Sequence, residues 1–265
     1  MKHHIPQIKE IMREAGKIMT ASHVTTSDIT VKNGDDNFVT AYDIAVQEFL
    51  ISKLSALIPE ADFLAEESGV TAVKSDMFFI IDPIDGTTNF IHGYNHSAIS
   101  VALCKDGAPV FGAVYNPYLN ELFHAYEGEG AFVDTADTSD GNAVATTKIT
   151  VSDRALSDSL VCFGTSPYSK FRADETFDIV KKLFISSRDV RRSGSAALDI
   201  CYVAGGRCDL FYEATLSPWD YAAGWLIVRE AGGALTCVDG SDVSFTSESS
   251  VIAGNNRARA DFMRL

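Results

Sequence analysis

A mixed α/β fold is predicted by two patterns that alternate along the chain. Short apolar runs such as Met77-Phe78-Phe79-Ile80-Ile81 suit strands buried on both faces, while Ile8, Ile11, Met12, Ala15, Ile18 and Met19 recur at helical spacing. From Leu160 onward the two kinds of segment take turns, as expected where helices cover a sheet. With 265 residues, 46% of them hydrophobic, the chain can bury about three-quarters of its unfolded surface. This fits one domain of two merged halves, approximately residues 1–145 and 146–265.

The first element is an amphipathic helix built on Ile8 to Met19. Asp28 to Lys32 and Phe38 to Thr40 flank Asn33-Gly34, a tight-turn signal, and should form a hairpin whose loop carries Lys32 and Asp35. Thr40 and Asp43 fit a helix-capping pair, and Val46, Phe49, Leu50, Leu54 and Leu57 mark the helix that Pro59 ends. Ala61 to Ala65 reads as a strand leading into Glu66-Glu67-Ser68. The run from Met77 should be a strand that stops at Asp82, because Pro83 has no amide for the ladder. Ser97 to Cys104 and Val110 to Tyr115 form a hairpin through Asp106-Gly107, and Glu121 to Tyr126 and Gly130 to Val133 are short strands. The polar stretch Thr135 to Thr147 reads as a surface connection between the halves. Beyond it come a strand (Leu160 to Phe163), a helix (about Thr176 to Ser186), Arg188 to Arg192, and a helix from Ser195 toward Val203. The series closes with Cys208 to Tyr212, a helix over Ala222 to Ala231, and strands at Gly233 to Val238 and Val251 to Ala253.

The formal net charge is −14, from 36 acidic and 22 basic residues, which argues against nucleic acid or an anionic membrane as a partner. An acidic protein acting on phosphates needs cations to reverse its local field. The five cysteines are scattered among apolar neighbours without a C-x-x-C pair, so reduced core thiols and a cytoplasmic location are expected. There is no basic segment followed by an apolar run at the start and no stretch of membrane-span length. The six histidines show no metal-ligand spacing, which leaves catalysis by histidine without support.

Carboxylates carry the chemistry instead. Asp82-Pro83-Ile84-Asp85-Gly86-Thr87-Thr88 sets two carboxylates at a strand end beside amides and hydroxyls that can hold a phosphate, a hard-oxygen site suited to Mg2+. As an isolated fragment, D-x-x-D-G is more often a plain turn, and Ser217-Pro218-Trp219-Asp220 by itself is more often a helix start. A metal phosphatase needs acids from several parts of the chain, and Glu66, Asp82, Asp85 and Asp220 are the candidates.

Asp82 to Phe90 resembles the Asp-Pro-Ile/Leu-Asp-Gly-Thr signature of the inositol monophosphatase family, the metal-dependent, lithium-sensitive phosphatases. Val39-Thr40-Ala41-Tyr42-Asp43, Glu66-Glu67-Ser68, Gly194-Ser195-Ala196-Ala197-Leu198-Asp199 and Trp219-Asp220 follow in that family's order. The resemblance implies a layered αβαβα sandwich of the inositol monophosphatase and fructose-1,6-bisphosphatase type, usually a homodimer. It implies two to three Mg2+ ions, with Mn2+ as a substitute. Glu66, Asp82 and the Ile84 carbonyl would hold one ion, and Asp82, Asp85 and Asp220 another. Thr87 assisted by Asp43, together with Glu66, would activate water for direct attack on phosphorus. Gly86, Thr87 and Thr88 would hold the phosphate, and Asp85, Ser195, Ala196 and Glu213 the rest of the substrate.

The implied activity is hydrolysis of an inositol monophosphate or a related small sugar or polyol phosphate. Relatives with the same metal core include fructose-1,6-bisphosphatases and histidinol-phosphate, NADP and nucleotide 3'-phosphatases. Thr88-Asn89-Phe90 resembles the inositol branch more than the nucleotide branch, whereas Ser217 stands where several members have a histidine beside the substrate ring. Of Arg191 and Arg192, adjacent on a strand, at most one can face a second phosphate. A regulatory module that works through a protein partner is the alternative from another functional class.

Overall fold

The computed structural model describes residues 2–21, 25, 28–31, 38–68, 73–136 and 144–265. Helix α1 (Ile5–Thr20) comes first, and β1 (Ile29–Val31) pairs antiparallel with β2 (Phe38–Thr40). The tight turn expected between them, with Lys32 and Asp35, lies outside the described residues. After α2 (Ala41–Leu57) come β3 (Asp62–Ala65), β4 (Met77–Asp85) and the short helix α3 (Thr87–Ile91). Strands β5 (Ala98–Lys105), β6 (Ala108–Asn116), β7 (Glu121–Tyr126), β8 (Ala131–Ala136) and β9 (Val144–Ile149) then extend the first sheet, ordered β3-β4-β5-β6-β7-β8-β9. The second sheet is ordered β11-β10-β12-β14-β13. It consists of β10 (Leu160–Phe163), β11 (Asp189–Arg191), β12 (Leu210–Leu216), β13 (Ala234–Thr236) and β14 (Ser249–Gly254). Helices α4 (Ala173–Ser186), α5 (Ala196–Ala204), α6 (Pro218–Glu230) and α7 (Asn256–Phe262) pack around it.

Three apolar clusters explain why these elements stack in five layers. Ile8, Met12 and Met19 of α1 and Val46, Leu50 and Leu54 of α2 pack on Phe79, Ile81, Ile99 and Val101, one face of the first sheet. The other face, with Phe78, Ile80, Ala102 and Phe123, meets Ala197 and Ile200 of α5 and Ala222, Ala223 and Leu226 of α6. These two helices also cover Cys162, Phe211 and Val251 of the second sheet, whose far side packs Leu210, Tyr212 and Ile252 against Val180, Leu183, Ala258 and Phe262. The order is therefore helices, sheet, helices, sheet, helices, each sheet burying both faces as its apolar runs demand.

Two sequence expectations change. Strand β4 does not stop at Asp82. It continues to Asp85 through an irregularity in its pairing with β5, Asp82 opposite Ser100 and Asp85 opposite Ala98. The missing Pro83 amide is accommodated at that bulge, and Ile84 N donates to Asp82 Oδ1 at 3.0 Å. The stretch Thr135 to Thr147 is not wholly a connection, because Val144–Ile149 pairs with β8 as the edge of the first sheet. No residue of β9 is buried, so the strand lacks the apolar alternation that would mark it. The Asp106-Gly107 turn is as expected, with φ of 52° and 87° at its two residues. All five cysteines are free and four are buried, with the Cys162 and Cys208 sulfurs 3.0 Å apart. No helix among the described residues is long and apolar enough to cross a membrane.

Candidate metal centre

Strand β4 delivers two carboxylates to the floor of a cavity of about 360 Å3, a volume suited to a small ligand. Asp82 and Asp85 sit on either side of the bulge, both buried, and α6 brings Asp220 to them. One carboxylate oxygen from each of the three lies within 4.8 Å of the others, although 135 positions separate Asp85 from Asp220 in sequence. Glu66 lines the same cavity from the turn after β3 and hydrogen-bonds Asp82, but it stands outside that tight trio.

Burial, followed by the charges of Glu66, Asp85 and Asp220, pushes the Asp82 carboxyl well above its ordinary range. Asp220 is pushed up in the same way by burial, Asp85 and Glu66. Asp85 rises only to about 6, because burial is opposed by Ser195 Oγ and by the backbone amides of Ala197 and Ala196. Clustered carboxylates that raise one another's pKa lack positive charge, and the donor set of carboxylates with the Ile84 carbonyl close by is wholly hard oxygen. Both properties fit divalent cations such as Mg2+.

Asp85 and Asp220, with Asp43 nearby, also hold helix starts. Thr40 N and Oγ1 donate to Asp43 Oδ2 at 2.7 and 2.5 Å, the capping box foreseen for α2, and the second oxygen of Asp43 accepts from Thr87 Oγ1 at 3.2 Å. Thr87 Oγ1 is also 3.1 Å from the Ile84 carbonyl. Asp220 accepts from Ser217 N at 2.8 Å and so closes the capping box that Ser217 opens at the start of α6. Asp85 accepts from Ser195 Oγ and, at 2.9 Å, from Ala197 N at the start of α5. A carboxylate has two oxygens, so capping and facing a site are compatible roles. The Ser195 hydroxyl is therefore committed to Asp85, and Ala196 lines the cavity beside it.

Past the end of β4, Gly86 adopts φ +90° and opens α3, with Thr88 exposed and Thr87 buried. A side chain there would need a left-handed backbone and would sit 3.0 Å from the Gly194 carbonyl. Elsewhere Glu213, only 5% exposed, accepts from Ser166 N at 2.7 Å, and burial lifts its pKa to about 8. It lies directly over Gly164, where an added Cβ would come within 1.9 Å of its Oε2. Gly164→Ala is thus expected to force Glu213 aside at a cost of about 1–3 kcal/mol. The measurement is a lowered thermal midpoint.

The cavity also holds residues to which the sequence assigns no role, Asp199 among them although it ends the Gly194 to Asp199 motif. Asp199, 2% exposed, accepts from Ser193 Oγ at 2.7 Å, and burial raises its pKa to about 7. A carboxylate within the apolar run Ala196 to Cys201 was the hint available. Tyr168 and Ser166, on the turn after β10, also line the cavity. The two arginines separate, although not as neighbours on one strand, because β11 ends at Arg191: Arg191 pairs with Asp189, whereas Arg192, beyond the strand, lines the cavity and donates to Thr165 Oγ1 at 3.3 Å.

The sequence matches the Inositol monophosphatase family over residues 3–264. It is 36% identical to the Nus factor SuhB of Escherichia coli strain K12, covering 92% of this chain and 88% of that protein. It is 38% identical to inositol monophosphatase 2 of Saccharomyces cerevisiae, over 84% of this chain and 78% of the yeast protein. Among solved structures, a Thermotoga maritima IMPase superposes with a TM-score of 0.84 at 31% identity, covering 100% of this chain and 96% of that one.

Proposed function

Because the chain belongs to the inositol monophosphatase family, we propose that it is a Mg2+-dependent phosphomonoesterase acting on an inositol monophosphate or a related small sugar or polyol phosphate. The observation that supports this most is the convergence of Asp82, Asp85 and Asp220 within 4.8 Å on the floor of one cavity. These three would hold the cations, with Glu66 and the Ile84 carbonyl completing the oxygen set. Bound there, divalent cations supply positive charge to the phosphoryl oxygens and acidify water, which matters because phosphate-monoester hydrolysis is among the slowest uncatalysed reactions.

The chain's own groups do the positioning. A Thr87 hydroxyl that donates to Asp43 keeps its lone pairs available to accept a hydrogen bond from the reacting water, so that as it takes up the water's proton its own passes to Asp43, and Asp43 cannot turn away because Thr40 holds its other oxygen. Glu66, beside Asp82, orients the same water. The amides of Gly86 and Thr87 hold the phosphate, with Thr88 next to them. Asp85, fixed by Ser195 and Ala197, links the cation floor to the wall where Ala196 and Glu213 meet the substrate hydroxyls.

Phosphate release from inositol 1-phosphate, fructose 1,6-bisphosphate, histidinol phosphate, 3'-phosphoadenosine 5'-phosphate and NADP tests this reading. Turnover on at least one should vanish with EDTA and return with Mg2+ or Mn2+. Folded protein that releases phosphate from none would sink it. A second reading comes from the relative named Nus factor SuhB, and has the chain acting through a protein partner. It predicts a role that survives when the carboxylates are replaced and turnover is gone.

A further inference from the structure

We propose that Tyr168 contacts the substrate, its phenol donating a hydrogen bond to the phosphoryl group held over Asp82 and Asp220. The inference rests on the phosphomonoesterase reading and adds a residue to it. Tyr168 lines the same cavity as Glu66, Asp82 and Asp220, but it reaches that cavity from the turn after β10. Its side chain feels burial and then the charges of Glu66, Asp220, Asp82 and Asp43, carboxylates from separate elements of which the first three line the same cavity. The residue as a whole remains 54% exposed, so part of it is open to solvent where it lines the cavity. Among the described residues the hydroxyl has no hydrogen-bond partner.

The turn that presents Tyr168 is held in an unfavourable shape. Ser166 has φ of +42° although it is not glycine and precedes Pro167, two reasons for the backbone to avoid that conformation. It is kept there by Ser166 N donating to Glu213, by Ser166 Oγ donating to the Thr215 carbonyl at 2.9 Å, and by Thr215 N donating to Ser166 Oγ at 3.1 Å. Ser169 N closes the turn onto the Ser166 carbonyl at 2.7 Å. Strained backbone held by several bonds marks sites where a side chain must be aimed.

The chemistry of the floor selects the ligand atom. Its carboxylates are acceptors, and cations would occupy their oxygens, so a neutral donor facing them needs an acceptor brought in from outside. A phenol whose pKa burial and neighbouring carboxylates push up stays protonated at neutral pH, and a non-bridging phosphoryl oxygen is the charged acceptor that would complete it.

Tyr168→Phe removes the hydroxyl and keeps the ring, while Tyr168→Ala removes both. The affinity of each protein for inorganic phosphate in saturating Mg2+ is measured by calorimetry, alongside kcat and KM on the best phosphomonoester. Tyr168→Phe should weaken phosphate binding and lower kcat/KM by roughly 10- to 100-fold, the worth of one hydrogen bond to a charged group, with the thermal midpoint unchanged. If Tyr168→Phe matches wild type in phosphate affinity, the proposal is overturned, even if Tyr168→Ala is impaired, since the ring would then serve only as a wall. Wild type that binds phosphate but hydrolyses no ester would remove the catalytic reading, and the Tyr168 contact would still be decided by the calorimetry.

Discussion

Asp85→Asn is expected to lower kcat by about 1,000-fold or more while leaving the fold in place, the loss of roughly 4 kcal/mol of transition-state stabilisation that cation charge supplies. The substitution changes one oxygen to nitrogen and keeps an oxygen that can accept from Ser195 Oγ and Ala197 N, so the start of α5 retains its partner. What disappears is one negative charge in the trio. In metal-free buffer that change has the opposite sign for stability. Asp85 is raised in the folded protein to about 6 by burial, so its ionised form is disfavoured there. Folding bears that cost at pH above about 6, and the cost fades as pH falls through 6 and the carboxyl takes up a proton. Without metal at pH 7.5, Asp85→Asn should therefore melt no lower than wild type, and the difference should shrink toward pH 5. Adding Mg2+ should raise the wild-type midpoint and leave the variant nearly where it was. A variant that loses activity and also melts well below wild type without metal would show Asp85 to be a packing residue.

The residues that could be placed from sequence were those whose neighbours along the chain reveal their setting. Asp82 and Asp85 follow an apolar run too short for a lone helix, so a buried strand with acids at its end was legible. The bulge that carries β4 past Pro83 was not, because its register depends on how β5 lies alongside. Asp43 and Asp220 looked like helix caps, and they are caps. Their second role became visible only when Thr87 and Asp85 met them across the fold. Gly164 and Glu213 are 49 positions apart, and nothing local says that one must be bare so the other can lie over it. The same holds for Tyr168, whose surroundings come from four distant elements. The edge strand β9 was read as a connection because Val144-Ala145-Thr146-Thr147-Lys148-Ile149 buries neither face fully, leaving no alternation to detect.

Asp134→Ala should behave in the reverse manner to Asp85→Asn, with stability lost and kcat kept. Asp134 on β8 is 2% exposed and accepts from Lys9 at 2.8 Å and Arg13 at 2.9 Å, both on α1. It also meets His124 on β7 at 3.2 Å and Thr146 Oγ1 on β9 at 2.7 Å. One carboxylate thus ties the first helix to three strands of the sheet, away from the cavity. Removing it leaves Lys9, only 18% exposed, without its counter-charge and Arg13, 20% exposed, with only the longer 3.9 Å contact to Glu10, a defect that costs about 3–5 kcal/mol. For a chain of this length that corresponds to a fall in thermal midpoint of roughly 6–10 °C. Burial acting alone would raise the Asp134 pKa, but hydrogen bonds from His124, Lys9 and Thr146 outweigh it and hold the carboxyl well below the usual range. A depressed carboxylate contributes its stability above the unfolded value, near 3.9, and loses it as pH drops further toward the folded value. The gap in stability between wild type and Asp134→Ala should accordingly be widest near neutrality and narrow below pH 4. Denaturant unfolding at a series of pH values measures it. A gap that stays constant down to pH 2 would mean that the carboxylate's charge contributes nothing and that Asp134 acts through packing.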